Sequence, residues 1–414
     1  LSALQRASQV IAFGDDAIAF PTGFEVEPRE VEIGRELASP SVYRVVRDVF
    51  GAEVLRHSYR PDGQILGALI NREFYQNRIE FEPTLDDYFG HTKVTHEVLT
   101  DGNRATSTLE GANESLDAEL ERAVDLIYNH ALWHPDESLL VATASAVHAD
   151  RIRTAVVAGL KSRTHLAAFF ESHGPEKFEV ATISQLAHRS ADRILFSVGY
   201  GLNPKGQLGV NLGQLTSPDG RRALANLLVS ARKHITVVTC FTAAQLGTER
   251  VIPGVSYLAD LLAAAVAVET AATQLDPDPM LLDLAKRLRK LGATVKAGYG
   301  QRIGLVASYG NQAMVIEPDW ALVGESYREK LRIRRSLLRN LGWQYLRVYS
   351  LDLFSNPEQI ARNIAESLGL KVYDRAQPLF DVDDRAFEDT DMAWGESTDS
   401  NDHRLRQDKP PHWG

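Results

Sequence analysis

Apolar positions along this chain follow two rhythms, and their alternation sets the expected fold. Between residues 116 and 240, helical spacing takes turns with short β-branched runs. The pattern predicts helices over Leu116–Trp133, Ala149–Leu160 and Arg221–Ala231, with a short one near Leu166–Glu171. Between them it predicts strands over Ser138–Ala144, Glu179–Ile183, Arg193–Val198 and His234–Cys240. Strands that alternate with helices imply a parallel sheet flanked by helices, because a parallel return needs a crossover. A second unit follows the turn-rich Asp276-Pro277-Asp278-Pro279. It reads as a helix (Met280–Leu291), three strands (Thr294–Ala297, Ile303–Ser308, Ala313–Ile316), a helix (Tyr327–Leu341), a strand (Trp343–Tyr349) and a helix (Pro357–Leu368).

The first part of the chain is less regular. Ala7–Phe13 reads as a buried strand closed by Gly14-Asp15-Asp16, and an amphipathic helix is expected from about Ser39 to Phe50. Glu53–Arg60 reads as a strand, Pro61-Asp62-Gly63 as a turn, and Ile65–Phe74 as a helix. Residues about 84–115 are polar and read as an insertion or long loop. The most apolar stretch, Gly254–Thr273, holds Asp260 and Glu269, so it reads as a buried helix rather than a membrane span. The expected divisions are residues 1–50, 51–275 (with the insertion), 276–372 and 373–414.

Composition narrows the picture. With 44% apolar residues in 414, the chain can build full cores. A single cysteine, Cys240, excludes a disulfide framework and a cysteine-based zinc cluster, and it suits a reducing cytoplasm. Leu1–Val10 is short and mixed, unlike a secretory signal, and a start at Leu is expected of a processed or shortened product. The net charge is −10, of which −6 falls in the acidic tail from Tyr373 to Gly414, expected to be mostly disordered. The body is therefore near neutral, and a local basic face decides whether nucleic acid binds. His91 and His96 lie five apart with no evident third ligand, so they do not make a metal site.

Four short segments carry candidate chemistry. Gly14-Asp15 follows an apolar run, with Pro21-Thr22 behind it. Leu55-Arg56-His57-Ser58-Tyr59-Arg60 precedes Asn71 and Phe74-Tyr75. Val180-Ala181-Thr182-Ile183 precedes Asp192 and Ser197, and Ala231-Arg232 precedes Ile235-Thr236-Val237-Val238. No GxxxxGK[ST] phosphate loop occurs in the chain. In this order and spacing the segments resemble motifs III, IV, V and VI of superfamily I nucleic-acid helicases, entered midway.

That resemblance implies a second RecA-like lobe that uses ATP and Mg²⁺ together with an N-terminal lobe bearing the Walker motifs, and that acts on DNA or RNA. Asp15 and Arg60 would then face nucleotide, and Thr182 nucleic acid. The departures weigh against a motor. Ile18 stands where the family has its glutamine, Ala187-His188-Arg189-Ser190 replaces QGxE, and Ser230 falls where motif VI carries an arginine. Losing an arginine finger costs on the order of 10³–10⁵ in phosphoryl-transfer rate.

Within 276–370, Ala313–Asp319, Ser326–Arg332, Leu341–Val348 and Phe354-Ser355-Asn356-Pro357 resemble the Vsr-like PD-(D/E)XK restriction-endonuclease domains found at the ends of actinobacterial superfamily I helicases. Such a fold holds Mg²⁺ on two acids and orients water with a lysine. Glu317 and Asp319 alternate on one strand and are the candidate metal and catalytic acids. Asp319 occupies the lysine position, Gly304 replaces the first acid, and Lys330 is the candidate replacement lysine. The helix after them carries Arg328, Lys330, Arg332, Arg334, Arg335 and Arg339 against Glu329, with Leu331, Leu338 and Leu341 as its expected buried stripe. These arginines are candidate phosphate ligands, whereas Trp343 and Tyr345 read as core.

Two expectations follow. One is a helicase-nuclease completed by an absent N-terminal part. The other is a non-catalytic module that binds nucleic acid or protein.

Overall fold

The computed structural model describes residues 6, 8–15, 17–18, 42–58, 60, 63–91, 93–99, 113–171, 176–202, 208, 211–246, 252–265, 278–300, 302–321 and 326–371. Expectations for 19–41, 101–112, 266–277 and the tail from 373 lie outside the described residues, as does Leu1–Gln5.

Sequence periodicity dictates most of the larger unit. In chain order it comprises α1 (Val42–Phe50), β1 (His57–Ser58), α2 (Gly63–Phe74), β2 (Glu80–Phe81), α3 (Leu85–Phe89), β3 (Val94–Val98), β4 (Asn113–Glu114), α4 (Asp117–Trp133), β5 (Leu139–Thr143), α5 (Ala146–Leu160), α6 (Ala167–Phe170), β6 (Glu179–Thr182), β7 (Ala191–Gly201), α7 (Gly220–Ser230), β8 (Ala231–Cys240) and α8 (Pro253–Ala264). The strands β3-β8-β7-β5-β6 form a parallel sheet in that order, and β4 adds antiparallel to β7. Both faces are covered. Ile194, Phe196 and Val198 of β7 pack with α2, α7 and α8, while Leu195 faces Ala123 and Ile127 of α4 and Ile152 of α5. Ser145 caps α5, its hydroxyl accepting from the His148 N–H at 3.0 Å.

The second unit contains α9 (Pro279–Lys290), β9 (Thr294–Tyr299), β10 (Ile303–Tyr309), β11 (Gln312–Pro318), α10 (Arg334–Asn340), β12 (Gln344–Val348), α11 (Ser350–Ser355) and α12 (Pro357–Ser367). Its sheet runs β12-β11-β10-β9, with β11 and β12 parallel and the other pairs antiparallel. Helices α9, α11 and α12 cover one face, and α10 covers the other. The described residues are thus α/β, with one large, mainly parallel sheet, one small mixed sheet and the two-stranded β1–β2 pair. Among the described residues, no helix is long and apolar enough to cross a membrane.

Four expectations change. Residues 8–13 form no strand, and Ile11 and Phe13 are exposed. The expected strand over Glu53–Arg60 shrinks to His57–Ser58, paired parallel to Glu80–Phe81. The polar stretch from 84 is no simple loop. Val94–Val98 is the edge strand of the large sheet, its signal hidden by Thr95, His96 and Glu97. Leu85–Phe89 is a helix, with Thr84 and Asp87 forming a reciprocal capping box. That helix packs on the second sheet, with Tyr88 against Tyr299 and Trp343. Finally, Leu331 is exposed rather than part of the buried stripe of α10. A π-turn at Glu329–Ile333 inserts extra backbone and rotates it outward.

Candidate functional site

Three segments that carried candidate chemistry in the sequence meet in one corner of the larger unit. The Asp15 Oδ1 accepts from the Ala17 N–H at 2.8 Å, and the Tyr75 hydroxyl donates to Oδ2. Ile18 is buried in the main core, and the Asn226 amide donates to its carbonyl at 3.2 Å. Arg60 donates to the Val229 carbonyl, next to Ser230. Segments near 15, 60 and 226–230 therefore meet through their side chains although they are far apart in sequence. The charge is thin there, however. Ser230 is buried, and its hydroxyl donates to the Asn226 carbonyl at 2.6 Å. Arg232, two residues on, is engaged by Glu176 and Asp192. Thr182 ends β6 nearly buried; its hydroxyl lies 3.2 Å from that of Ser184, and its N–H donates to the Gln185 side chain at 3.2 Å. It presents little surface to nucleic acid.

The corner that holds Glu317 and Asp319 is filled by its own side chains. Glu317 is 4% exposed at the end of β11. Its Oε1 accepts from Arg334 Nε at 2.9 Å, and its Oε2 from the Tyr345 hydroxyl at 2.8 Å. Asp319 lies just beyond the strand, where its Oδ1 accepts from the Ser350 N–H at 3.0 Å at the start of α11. The two acids thus have separate partners and share no open face. Mg²⁺ requires near-octahedral oxygen ligation, and this donor set does not fit it. Among the described residues, no group of three or more His, Cys, Asp or Glu is arranged to hold a metal ion. Lys330 sits in the π-turn, and its side chain lies outside the described ones.

Arg334 also needs correction as a phosphate ligand. It is 2% exposed, held by Glu317, Glu82 and the Arg302 carbonyl. Burial follows from the helix register, because Arg334 shares a face with Leu337, Leu338 and Leu341. The other predicted arginines behave differently. Arg328, Arg332, Arg335 and Arg339 are all exposed, within or beside the π-turn and along α10, whereas Arg334, Leu337 and Leu338 are buried. None of them has an ion-pair or hydrogen-bond partner among the described residues. By contrast, Arg72, Arg122, Arg151, Arg193, Arg232 and Arg287 each hold a carboxylate. Exposed Tyr327 and Leu331 border the stripe. At its other end, Asn340 lines a cleft of about 530 Å³ between the two units, whose walls carry Lys93, Arg193, Arg232 and Lys233 beside Asp86, Asp87 and Asp192.

One polar cluster was missed from the sequence. At the carboxyl ends of β5, β7 and β8, the fully buried Glu119 accepts from the Ser197 hydroxyl and the Gly199 N–H, both at 2.8 Å. His148, also fully buried, lies 2.8 Å from both Ser197 Oγ and Ser115 Oγ through its two ring nitrogens. Burial pushes the Glu119 carboxyl up to about 7 against these hydrogen bonds, and it pulls His148 down to about 4. The cluster is closed to solvent, so it holds the strand ends together rather than meeting a ligand. Its signal was a polar residue on each buried helical stripe: Glu119 with Ala123 and Ile127, and His148 with Ile152 and Val156.

No protein-family model matches this chain, and no curated protein matches it.

Proposed function

We propose that this chain is the C-terminal portion of a superfamily I helicase-like protein that binds nucleic acid, DNA in the first instance, without catalysing ATP hydrolysis or strand cleavage. The observation that carries the reading is the stripe of Arg328, Arg332, Arg335 and Arg339. It offers four exposed guanidinium groups, without an ion-pair or hydrogen-bond partner among the described residues, in a protein whose net charge is −10. Guanidinium groups bind phosphate oxygens in a fork, and a row of them follows a phosphate backbone.

The helicase ancestry is supported by the meeting of Asp15, Arg60 and the end of α7 in one corner. The loss of activity is supported by Ser230 at the arginine position and by Arg334 on Glu317. The N-terminal lobe of the same protein remains the expected partner. Helix α1 buries none of its residues, and Val42, Val49 and Phe50 leave an apolar surface for such a partner to cover. In this reading ATP and Mg²⁺, which the family uses, are not required by this portion.

Fluorescence anisotropy with labelled single- and double-stranded DNA and RNA, titrated from 50 to 200 mM salt, tests the proposal. Replacing the four arginines with alanine is expected to weaken binding and to flatten the log–log salt slope by about 0.9 per lost duplex phosphate contact. If the wild type fails to bind at low salt, the proposal falls and a protein-interaction module takes its place.

A further inference from the structure

We infer that Arg334 serves as a built-in cation at the position a divalent ion would need to occupy between Glu317 and Glu82, and that the same guanidinium fastens residues 80–91 onto the second sheet. Each donor of Arg334 is directed to its own acceptor. Nε reaches Glu317 Oε1 at 2.9 Å, Nη1 reaches Glu82 Oε1, and Nη2 reaches the Arg302 carbonyl at 3.1 Å. Glu82, Glu317 and Arg334 are all buried. Arg302 approaches Glu82 at 3.5 Å, so two carboxylates face two guanidinium groups and the buried charge closes without a metal. With Tyr345 on the second oxygen of Glu317, that carboxylate keeps no free edge for coordination. A metal would have to displace a bound guanidinium in a site closed to water, which is unfavourable when nothing else can pair with that charge.

Glu82 belongs to a segment that precedes the large sheet, so this ion pair joins distant parts of the chain. Other ties run beside it. The Trp343 indole donates to the Pro83 carbonyl at 2.8 Å, and the Leu85 N–H donates to the Leu341 carbonyl at 3.0 Å. Tyr88 lies 5.3 Å from Tyr299 and 5.5 Å from Trp343, edge to face, and its hydroxyl lies 2.7 Å from Ser308 Oγ. The strap therefore completes the core of the second unit on the face where its acids lie, and Arg334 is the charged rivet in that contact.

The test uses the whole chain, with MnCl₂ as the metal probe. Thermal unfolding of the wild type is expected to be unchanged by millimolar Mn²⁺, and Mn²⁺ electron paramagnetic resonance should detect no bound ion. Arg334→Ala leaves Glu82 and Glu317 facing each other, and its Tm should fall by roughly 5 °C or more. Mn²⁺ should restore part of that loss, whereas K⁺ at equal ionic strength should not. Adding Glu317→Gln should abolish the restoration. Glu82→Gln keeps the Arg334–Glu317 pair, so it should speed hydrogen exchange within 80–91 while leaving β10 and β11 protected.

Binding of Mn²⁺ to the wild type that is lost in Glu317→Gln overturns the cation assignment, and so does an Arg334→Ala protein that folds without responding to Mn²⁺. Unchanged exchange of 80–91 in Glu82→Gln overturns the fastening. The wild-type and Glu82→Gln measurements decide both halves even if Arg334→Ala does not fold.

Discussion

Glu119→Gln should stabilise this protein at alkaline pH and do almost nothing at acid pH. The substitution preserves the shape of the side chain and an oxygen for the Ser197 hydroxyl and the Gly199 N–H. What it removes is the capacity to ionise. Burial pushes the wild-type carboxyl from 4.5 up to about 7, although backbone and hydroxyl donors pull the other way. Among the described residues no cation is paired with it, so desolvation wins.

The folded pKa is raised, so the stability tied to the protonated acid is fully present below pH 4.5 and is lost as pH rises through 7. At about 1.4 kcal/mol per pH decade, the loss reaches on the order of 3 kcal/mol by pH 8. Glutamine escapes it. The difference between variant and wild type should therefore start near zero at pH 4.5 and climb to about 3 kcal/mol in favour of the variant.

His148 runs in the opposite direction. Burial first, and Arg151 second, lower it from 6.5 to about 4. Its contribution is present above pH 6.5 and is lost as pH falls toward 4. It is common to both proteins and cancels in the difference, while in the wild type alone the two groups offset each other and flatten the profile. Equilibrium urea unfolding at pH 5, 6, 7 and 8, followed by circular dichroism, measures the difference. A difference that stays constant across pH would refute the reasoning. So would a glutamine variant that is less stable at pH 8, since that would mean the hydrogen bonds to an ionised Glu119 outweigh its burial.

Further outcomes follow from the same physics. The Cys240 thiol is buried, which pushes it up to about 12 with Glu119 adding to the effect. A thiol reagent at pH 8 should label it only after denaturant opens the sheet, and rapid labelling of the native chain would contradict the burial. Gly254 lets α8 approach the Leu215 carbonyl so closely that a Cβ there would overlap it. Gly254→Ala should lower stability by about 1–3 kcal/mol in urea unfolding, and a neutral result would mean that the contact relaxes freely. At Glu137, burial alone would raise the carboxyl, but hydrogen bonds and charge from Arg193 and Lys233 outweigh it and hold it at about 2. Its stability is present above pH 4.5 and is lost as pH falls toward 2, so Glu137→Gln should flatten the acid limb of an unfolding profile. In the arginine stripe, Arg335→Ala should weaken nucleic-acid binding and leave Tm unchanged, the reverse of what the buried Arg334 should do.

Local periodicity was enough to determine the alternation of helices and strands from 116 to 240 and most of the order of elements from 278 to 368, but not the short helix α11 at Ser350–Ser355. It could do so because helix and strand faces are set by neighbours two, three or four positions apart. The same local reading explains why Trp343 was recognisable as core, and it is 2% exposed. What periodicity could not supply was the far partner of each polar residue. Six bases on one helix look alike in sequence, yet Arg334 is buried against Glu82, 252 positions away, while Arg328, Arg332, Arg335 and Arg339 face outward. Deciding between them required the π-turn at Glu329–Ile333 and the docking of 80–91 onto the second sheet. Glu317 and Asp319 kept the spacing of a metal pair, but their chemistry was decided by Arg334, Tyr345 and Ser350, which only the fold brings to them. A carboxylate's role depends on which groups share its burial, and those groups come from the packing of distant segments.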